Sequence, residues 1–244
     1  MNAVRQTLLL VQWQFRRQST ALPLMVVVQV AIAVATVVGY GLLVGEPSPE
    51  VALFLATGAP TITLITVGLV MTPQMLVQAK TEGSLDWLRT LPVPRSLFLV
   101  SDLLVWTLLA LPGVVLGVVA GVLRFDVQLS VAPWIGAAVL LISLTAAAVG
   151  YAMASVLPPA VAMIMTQLLI FVVLLFSPVS YPAERMPLWL QDVHGVLPIE
   201  PMAQLMRAGL AHDTFTVPGR SVVVLVAWCA VAVVGALSAL RRRV

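Results

Sequence analysis

The sequence predicts an all-α integral membrane protein with six transmembrane helices. Two observations support this prediction: apolar residues make up 61% of the 244 residues and charged residues only 9%, and uncharged stretches recur at the length of a membrane span. A soluble domain carries roughly 25% charged residues, so this composition cannot keep a water-facing surface in solution. It also excludes most nucleic-acid-binding proteins. The single cysteine, Cys229, excludes a disulfide framework and a Cys-rich metal site.

The uncharged stretches locate the spans, because a helix needs about 20 apolar residues to cross about 30 Å of hydrocarbon. The longest stretch runs from Val127 to Ala183, and Pro158-Pro159 divides it because consecutive prolines end a helix. We therefore predict a single transmembrane domain over 1–244. Its spans lie near 22–44, 53–76, 97–120, 133–156, 160–178 and 221–240.

The distribution of Lys and Arg predicts the orientation. With six spans, both termini lie on the same side as the 77–96 and 157–159 loops. This side holds Arg5, Arg16, Arg17, Lys80, Arg89, Arg95 and Arg241 to Arg243, whereas the other holds only Arg124, Arg185, Arg207 and Arg220. Both termini are therefore predicted to be cytoplasmic. The first apolar stretch starts near Leu22 and has full span length, which favours a span over the core of a cleavable signal peptide.

Residues 1–20 form an amphipathic pattern before the first span. Val4, Leu8, Val11 and Phe15 share one helical face, with Arg5 and Arg16 beside it. Such a helix lies in the headgroup layer with its cations toward anionic lipid. The pattern predicts an interfacial elbow helix, either a simple anchor for the first span or a docking element.

The 77–96 loop, on the predicted cytoplasmic side, contains a second amphipathic pattern. Ser84 is a candidate N-cap, Asp86 falls in the first turn, and Leu85 and Leu88 share a face. Pro92 and Pro94 end this short helix before the next span. The loop is predicted either to contact a cytosolic protein or to be a surface turn without a partner.

The 179–219 segment is the largest predicted region outside the spans. Its apolar residues follow two short helical patterns, Leu188 to Leu197 and Met202 to Leu210, separated and flanked by prolines. We predict an external segment with two short helices on or in the outer leaflet, preceded by a re-entrant hairpin around Ser177-Pro178.

Motifs for enzymatic chemistry are missing from the sequence. The only lysine, Lys80, follows Ala79, so there is no Walker loop to bind ATP. His194 and His212 lack the spacing of a zinc site and fall outside the spans. Asp102 lies near the cytoplasmic end of span three, where a structural role is favoured over a proton relay. The chain is therefore predicted not to be an enzyme and to bind no metal.

Polar and small residues within the spans suggest helix contacts. Gln29 and Gln167 are the bulky uncharged polar groups of spans one and five, and amides of this kind bond across helices or contact a substrate. Small residues recur at a spacing of four, which allows close helix approach within the chain or with another chain. They are Ala31, Ala35 and Gly39 in span one, and Gly113, Gly117 and Gly121 in span three.

Two motifs carry a family resemblance. The first is Glu82-Gly83-Ser84-Leu85-Asp86-Trp87-Leu88-Arg89-Thr90-Leu91-Pro92-Val93, and the second is Met186-Pro187-Leu188-Trp189-Leu190 followed by Leu197-Pro198 and Arg207. With the order of the predicted elements, they resemble the membrane subunit of ATP-binding-cassette (ABC) type-2 exporters, the permease group that includes antibiotic and drug efflux systems. Ser84 replaces the Thr of the first family motif, and Leu197 replaces an Asn of the second.

The resemblance implies a homodimer, or a heterodimer with a sister permease, on two copies of a separate ABC ATPase subunit. ATP and Mg would be bound by that ATPase, and this chain would bind no cofactor. The 77–94 loop would be the coupling helix, with Glu82, Gly83, Leu85, Asp86, Leu88 and Arg89 as ATPase-coupling residues. Spans one and five would form the dimer interface, with Ala31, Ala35 and Gly39 lining it. Pro187, Trp189, Pro198 and Arg207 would form the external motif.

The substrate is predicted only as a class. Few aromatic and charged residues in the spans favour a hydrophobic or amphipathic molecule, such as a drug, an antibiotic or a lipid-like compound. Gln29 and Gln167 are candidates for its path. The preference for Arg over Lys favours a GC-rich bacterium and therefore a bacterial cytoplasmic membrane. The alternative function is a non-transporting membrane scaffold that recruits a cytosolic partner through the 77–94 loop.

Overall fold

The computed structural model describes residues 3–84, 93–179 and 181–241, and these ranges are mostly helical. The nine helices that we number in them are α1 (Ala3–Gln18), α2 (Leu22–Val44), α3 (Pro49–Thr81), α4 (Arg95–Phe125), α5 (Ile135–Val156), α6 (Pro159–Phe176), α7 (Leu188–Val196), α8 (Ile199–Leu210) and α9 (Gly219–Arg241). Six of them, α2 to α6 and α9, are long and apolar enough to cross a membrane. The predicted all-α architecture with six spans is confirmed.

Two spans extend at least two residues beyond their predicted bounds at both ends. Helix α3 exceeds the predicted 53–76 at both ends, and α4 exceeds 97–120 at both ends. The prediction relied on uncharged stretches, which stop where charges begin. Glu50 in the first turn of α3 and Lys80 in its last turn interact favourably with the helix dipole, so the helix continues past them.

Helix α3 is the central helix of the bundle. Of its most apolar window 89% is buried, compared with 17% for each of α2, α6 and α9. It packs against α2, α4, α5, α6 and α8, whereas α9 packs mainly along α5. The faces of α2, α6 and α9 that point away from α3 and α5 are therefore available to lipid or to another chain.

A tight seam joins α3 to α5. Helix α3 contains a π-helical turn, Val67–Met71, and the hydroxyl of Thr72, the next residue, donates to the Val67 carbonyl over 3.0 Å. Gly68 in this turn packs on Ala146, and a Cβ added to Gly150 would collide with the Gly68 carbonyl oxygen. The absence of side chains at both glycines therefore permits this close approach.

The small residues of α4 pack within the chain. Gly113 faces Gln29 and Thr63, and the other two glycines of the stripe follow the same side of α4. Gly117 lies against Ala33 and Pro60, and Gly121 lies against Ala56. This stripe is the contact surface of α4 with α2 and α3.

The two ends of the bundle are distinct. One end, which we call the α1 end, contains α1 and the ends of α3, α5 and α9, together with the start of α4. The opposite end, the α8 end, contains α7 and α8 and a short pairing in which the Ser130 carbonyl accepts from the His212 amide at 3.1 Å. Residues 85–92, between α3 and α4, lie outside the described ranges.

Candidate functional site

A cavity of about 480 Å³ opens at the α1 end. It lies beneath α1, between the start of α2, the end of α3 and the start of α4. Its wall includes Trp13, Gln14, Arg17, Ala21, Met25, Thr72, Met75, Leu76, Gln78, Ala79, Glu82, Val93, Arg95, Phe98, Asp102, Trp106, Tyr151 and Leu240. The lining therefore combines aromatic and aliphatic groups with two acidic and two basic side chains.

Asp102 and Gln14 are the polar pair of this cavity. Asp102 lies two turns into α4 and is half-buried, and its carboxylate accepts a hydrogen bond from the Gln14 amide of α1. Gln14 is only 6% exposed. Its Oε1 has no hydrogen-bond partner among the described residues. The pair thus presents a carboxylate and an unpaired amide oxygen.

Arg17 is the cation that acts on Asp102, but the two side chains do not form an ion pair. Arg17 acts on Asp102 through space, but its Nη2 lies 3.8 Å from Glu82 Oε2 and its guanidinium lies 5.4 Å from the centre of the Trp13 ring. Within the described residues, Asp102 makes no ion pair. The Arg17–Glu82 pair instead connects α1 to the end of α3.

Gly83 and Ser84 end helix α3 at the start of the loop. Gly83 has φ +72°, a left-handed conformation that ends helices and that side chains disfavour. The Ser84 hydroxyl donates to the Ala79 carbonyl over 3.2 Å, which satisfies an acceptor of the last turn. Glu82 accepts from Gln78 Nε2 at 2.6 Å, and its side chain remains half exposed at the start of the loop.

Of the predicted coupling residues, Glu82 and Gly83 fall within the described residues at the start of the loop. Leu85, Asp86, Leu88 and Arg89 lie outside them, and so does the predicted short helix of the loop.

Both flanks of the loop bind the ends of other spans. Lys80 Nζ donates to the carbonyls of Ala154, at 2.5 Å, and Ser155, at 3.2 Å, at the end of α5. Arg95 Nη1 donates to the Leu240 carbonyl at 2.5 Å, at the end of α9. The last carbonyls of a helix lack intrahelical partners and carry its negative dipole, so cations bind well there. The loop is thereby connected to α5 and α9 as well as to α3 and α4.

At the α8 end, Arg207 is the central polar group. Its Nη2 donates to the Val179 carbonyl over 2.9 Å, and its guanidinium lies 3.5 Å from the centre of the Phe54 ring and 5.8 Å from that of Phe215. Burial lowers the pKa of Arg207 to about 9, while the charge of Glu200 opposes this shift. The guanidinium therefore stays charged at neutral pH.

Four side chains, which we call the α6 cap, bind the carbonyls at the end of α6 and in the turn that follows. The bonds run from Tyr40 to Leu174 (3.0 Å), from Tyr181 to Leu175 (3.2 Å), from His194 to Phe176, and from Arg207 to Val179 (2.9 Å). They come from α2, α7, α8 and the segment after α6, so the cap holds these elements together. His194 is 2% exposed, and burial lowers its pKa.

The external motif residues have different environments. Pro187 and Pro198 precede α7 and α8, and their carbonyls accept the first helical amides, from Leu190 at 2.9 Å and Met202 at 3.0 Å. Trp189 is exposed on α7. Pro198 and Arg207 are buried, whereas Pro187 and Trp189 are exposed, so the structure does not bring the four residues together as one site.

The remaining predicted residues divide between the interior and the surface. Ala31 and Ala35 are exposed on α2, and a Cβ added to Gly39 would meet no atom within 4 Å. Gln29 is buried against Gly113, and neither polar atom of its amide has a hydrogen-bond partner among the described residues. Gln167 is exposed near the middle of α6. Thus Gln29 and Gln167 do not share a cavity.

The family model described as ABC-2 type transporter matches residues 5–211, from the first turn of α1 to the end of α8, including the loop between α3 and α4. The search of curated proteins found no match for this chain.

Proposed function

The chain belongs to the ABC-2 type transporter family, and we propose that it exports a hydrophobic or amphipathic molecule, powered by two copies of a separate ABC ATPase. As an ABC-2 permease it is the multi-pass membrane component of an ABC transporter. The observation that carries the proposal is the attachment of both flanks of the 77–94 loop to the ends of α5 and α9. In the proposed mechanism, ATP and Mg bind to the ATPase subunits.

The loop is suited to receive motion from a cytosolic motor. Gly83 ends α3 and Glu82 leaves part of its carboxylate exposed at the start of the loop. We propose that Glu82 and Asp86 bind cations of the ATPase, that Leu85 and Leu88 fill an apolar cleft in it, and that Gly83 and Arg89 complete the contact. Burial of one leucine side chain contributes about 1.5–3 kcal/mol, enough to anchor the loop.

The two flanking cations explain how displacement of the loop would reach the spans. Lys80 and Arg95 donate hydrogen bonds to the last carbonyls of α5 and α9, so these helices would move with the loop when the ATPase subunits close. Because α5 is joined to α3 at the glycine seam, the displacement would also reach the central helix. A scaffold that merely recruits a partner has no need of these connections.

The dimer, with a second copy or a sister permease, is proposed to form through α2 and α6. Ala31 and Ala35 are exposed on α2, and Gly39 continues this stripe of small residues with open space beside it; such stripes allow close helix packing in membranes. Gln167 is exposed on α6, where contact with hydrocarbon would leave its amide without partners. A second permease chain against this face would supply them.

The orientation follows from the basic residues. We propose that the α1 end faces the cytoplasm of a bacterium and that the α8 end faces outward, with the chain in the cytoplasmic membrane. The open cavity would then face the compartment from which an exporter takes its substrate, and the closed α6 cap would face the release side.

The decisive experiment is reconstitution with an ABC ATPase that copurifies with the permease. The double variant Glu82→Lys with Leu85→Asp should lose copurified ATPase, or retain ATPase turnover without efflux from vesicles. An interfacial acid that loses its partner costs about 2–5 kcal/mol, in addition to the lost burial of the leucine. The matched control is Glu46→Lys, which makes the same charge change in the exposed connection between α2 and α3 at the α8 end.

Normal efflux and ATPase turnover in the double variant would rule out the loop as the coupling element. If the wild-type permease retains the ATPase but neither stimulates its turnover nor supports efflux, the scaffold function replaces the exporter.

A further inference from the structure

We propose that the cavity at the α1 end is a binding site for an amphipathic organic amine, whose ammonium group binds between Asp102 and Gln14 and whose hydrocarbon part lies against the aromatic wall. This inference deepens the proposed function by naming a substrate class and a loading site within each subunit. Binding itself requires neither the ATPase nor transport.

The charge of the site favours a cation. Asp102 is a half-buried carboxylate, and among the described residues its only direct partner is the neutral amide of Gln14. Arg17 is paired with Glu82, and Arg95 is bonded to the Leu240 carbonyl, so both lining cations already have partners. A carboxylate taken out of water is stable when a cation pairs with it, and a ligand ammonium would provide that cation.

The unpaired oxygen of Gln14 favours a cation that carries N–H groups. Gln14 Oε1 belongs to a side chain that is 94% buried and lines the cavity, yet it has no donor among the described residues. Buried acceptors without a donor are uncommon, because each costs free energy. A primary ammonium has three N–H donors and can serve the Asp102 carboxylate and Gln14 Oε1 together. A quaternary ammonium cannot.

The rest of the cavity favours an amphipathic molecule. Trp106 and Phe98 lie on the same helix as Asp102, and Met25 and Met75 line the adjoining wall. Aromatic rings attract cations through their faces, and methionines adapt to irregular hydrocarbon shapes. The volume of about 480 Å³ lies within the roughly 300–1,000 Å³ of small-molecule sites. An anion would meet Asp102 and Glu82, and an uncharged lipid or alcohol lacks the positive charge that pairs with Asp102.

The test is photolabelling of the purified permease alone in lipid nanodiscs. The probe is dodecylamine with a diazirine on its chain, and the matched probe is dodecanol with the same diazirine. The amine should label α1 and α4 at the cavity in a saturable manner, whereas the alcohol should label the exposed faces of α2, α6 and α9. Asp102→Asn should reduce cavity labelling by the amine at least about tenfold, the effect of losing one charge-assisted hydrogen bond.

The controls separate the cavity from general effects of charge. Asp126→Asn removes the same charge at the other end of α4, outside the cavity, and should leave the labelling unchanged. Gln14→Leu removes the amide and should weaken cavity labelling by the amine several-fold. If Asp102→Asn fails to fold, the labelling of Gln14→Leu tests the proposal in its place. Equal labelling of the cavity by both probes, or labelling unaffected by Asp102→Asn and Gln14→Leu, overturns the proposal. Efflux that persists in that case leaves the exporter function standing.

Discussion

The two ends of the bundle differ in where their polar groups lie. At the α8 end, the four side chains of the α6 cap bind four backbone carbonyls, and Met202 and Met206 beneath them have no exposed surface. At the α1 end, Asp102 and Gln14 line an open cavity and retain acceptor capacity. The comparison indicates a permease that is closed at the α8 end and open at the α1 end.

The difference lies in whether the unpaired polar atoms lie beside open space. At the α8 end, Ser177 Oγ, His194 Nδ1 and Arg207 Nε lack hydrogen-bond partners among the described residues, but these residues are buried in the packed interior. At the α1 end, Lys80 and Arg95 bind carbonyls at helix ends, whereas Asp102 and Gln14 line an open cavity. The α1 end is therefore suited to receive a ligand.

The largest expected effect comes from breaking the closed end at Arg207. Arg207→Ala removes a charged hydrogen bond to Val179 and a buried cation–π contact with Phe54. We expect a loss of roughly 2–4 kcal/mol in the free energy of unfolding. Thermal unfolding in detergent, followed by tryptophan fluorescence, measures this as a fall in Tm.

The control is Arg220→Ala, which removes the same charge from an exposed position in the same region. If Arg207→Ala melts at the same temperature as Arg220→Ala, the α6 cap does not hold the α8 end together.

The next effect concerns the glycine seam between α3 and α5. Gly150→Ala places a methyl group against the Gly68 carbonyl, and overpacking of this kind costs about 1–3 kcal/mol. Gly136→Ala, in the same helix, meets open space and should be neutral or slightly stabilising. Equal Tm values for the two variants would show that α3 and α5 do not need the close approach.

The smallest effect is a pH dependence of the closed end. Burial lowers the pKa of His194 below its unfolded value of 6.5, so His194 contributes stability above that value. As the pH falls below 6.5, the unfolded chain binds a proton that the folded chain resists, and stability is lost at up to about 1.4 kcal/mol per pH unit. Burial and the neighbouring charge of Glu184 raise the pKa of Glu200, which acts in the opposite direction and is common to all variants.

The measurement is Tm between pH 7.5 and pH 5.5 for wild type and His194→Gln, which keeps an amide donor for the Phe176 carbonyl. Wild type should lose more stability on acidification than His194→Gln, whereas His212→Gln, at an exposed position, should follow wild type. Identical pH profiles for wild type and His194→Gln would contradict a buried neutral imidazole.

The sequence predicted the six spans because hydrocarbon thickness imposes a minimum length on every apolar stretch. It did not predict the cavity, because the partnership of Gln14 and Asp102 joins positions that are far apart in the chain and follow no common local pattern. The one signal in the sequence was Asp102, because an acidic residue inside a span needs a hydrogen-bond donor from another helix or from a ligand. Likewise, the external motif identified Arg207, but no local pattern in the sequence predicted its contact with the Phe54 ring.

Two stripes of small residues show the same limit. Ala31, Ala35 and Gly39 have the same spacing as the glycines of α4, yet the first set lies on an open face of α2 and the second packs inside the chain. Spacing predicts that a helix can be approached closely. It does not say which helix approaches, because this depends on the order of the spans in the bundle.

The most direct test of the central claim is thiol accessibility at the two ends. In a Cys229→Ala background, Met75→Cys reports the cavity and Met202→Cys reports the interior of the closed end, while Ser84→Cys and Gln191→Cys mark the two membrane sides. Each variant is treated with an impermeant maleimide in intact cells and in inverted vesicles. We predict that Met75→Cys reacts only in inverted vesicles, together with Ser84→Cys, and that Met202→Cys reacts in neither preparation without ATP turnover. Reaction of Met75→Cys in intact cells, or of Met202→Cys without ATP, would contradict a permease open to the cytoplasm and closed to the outside.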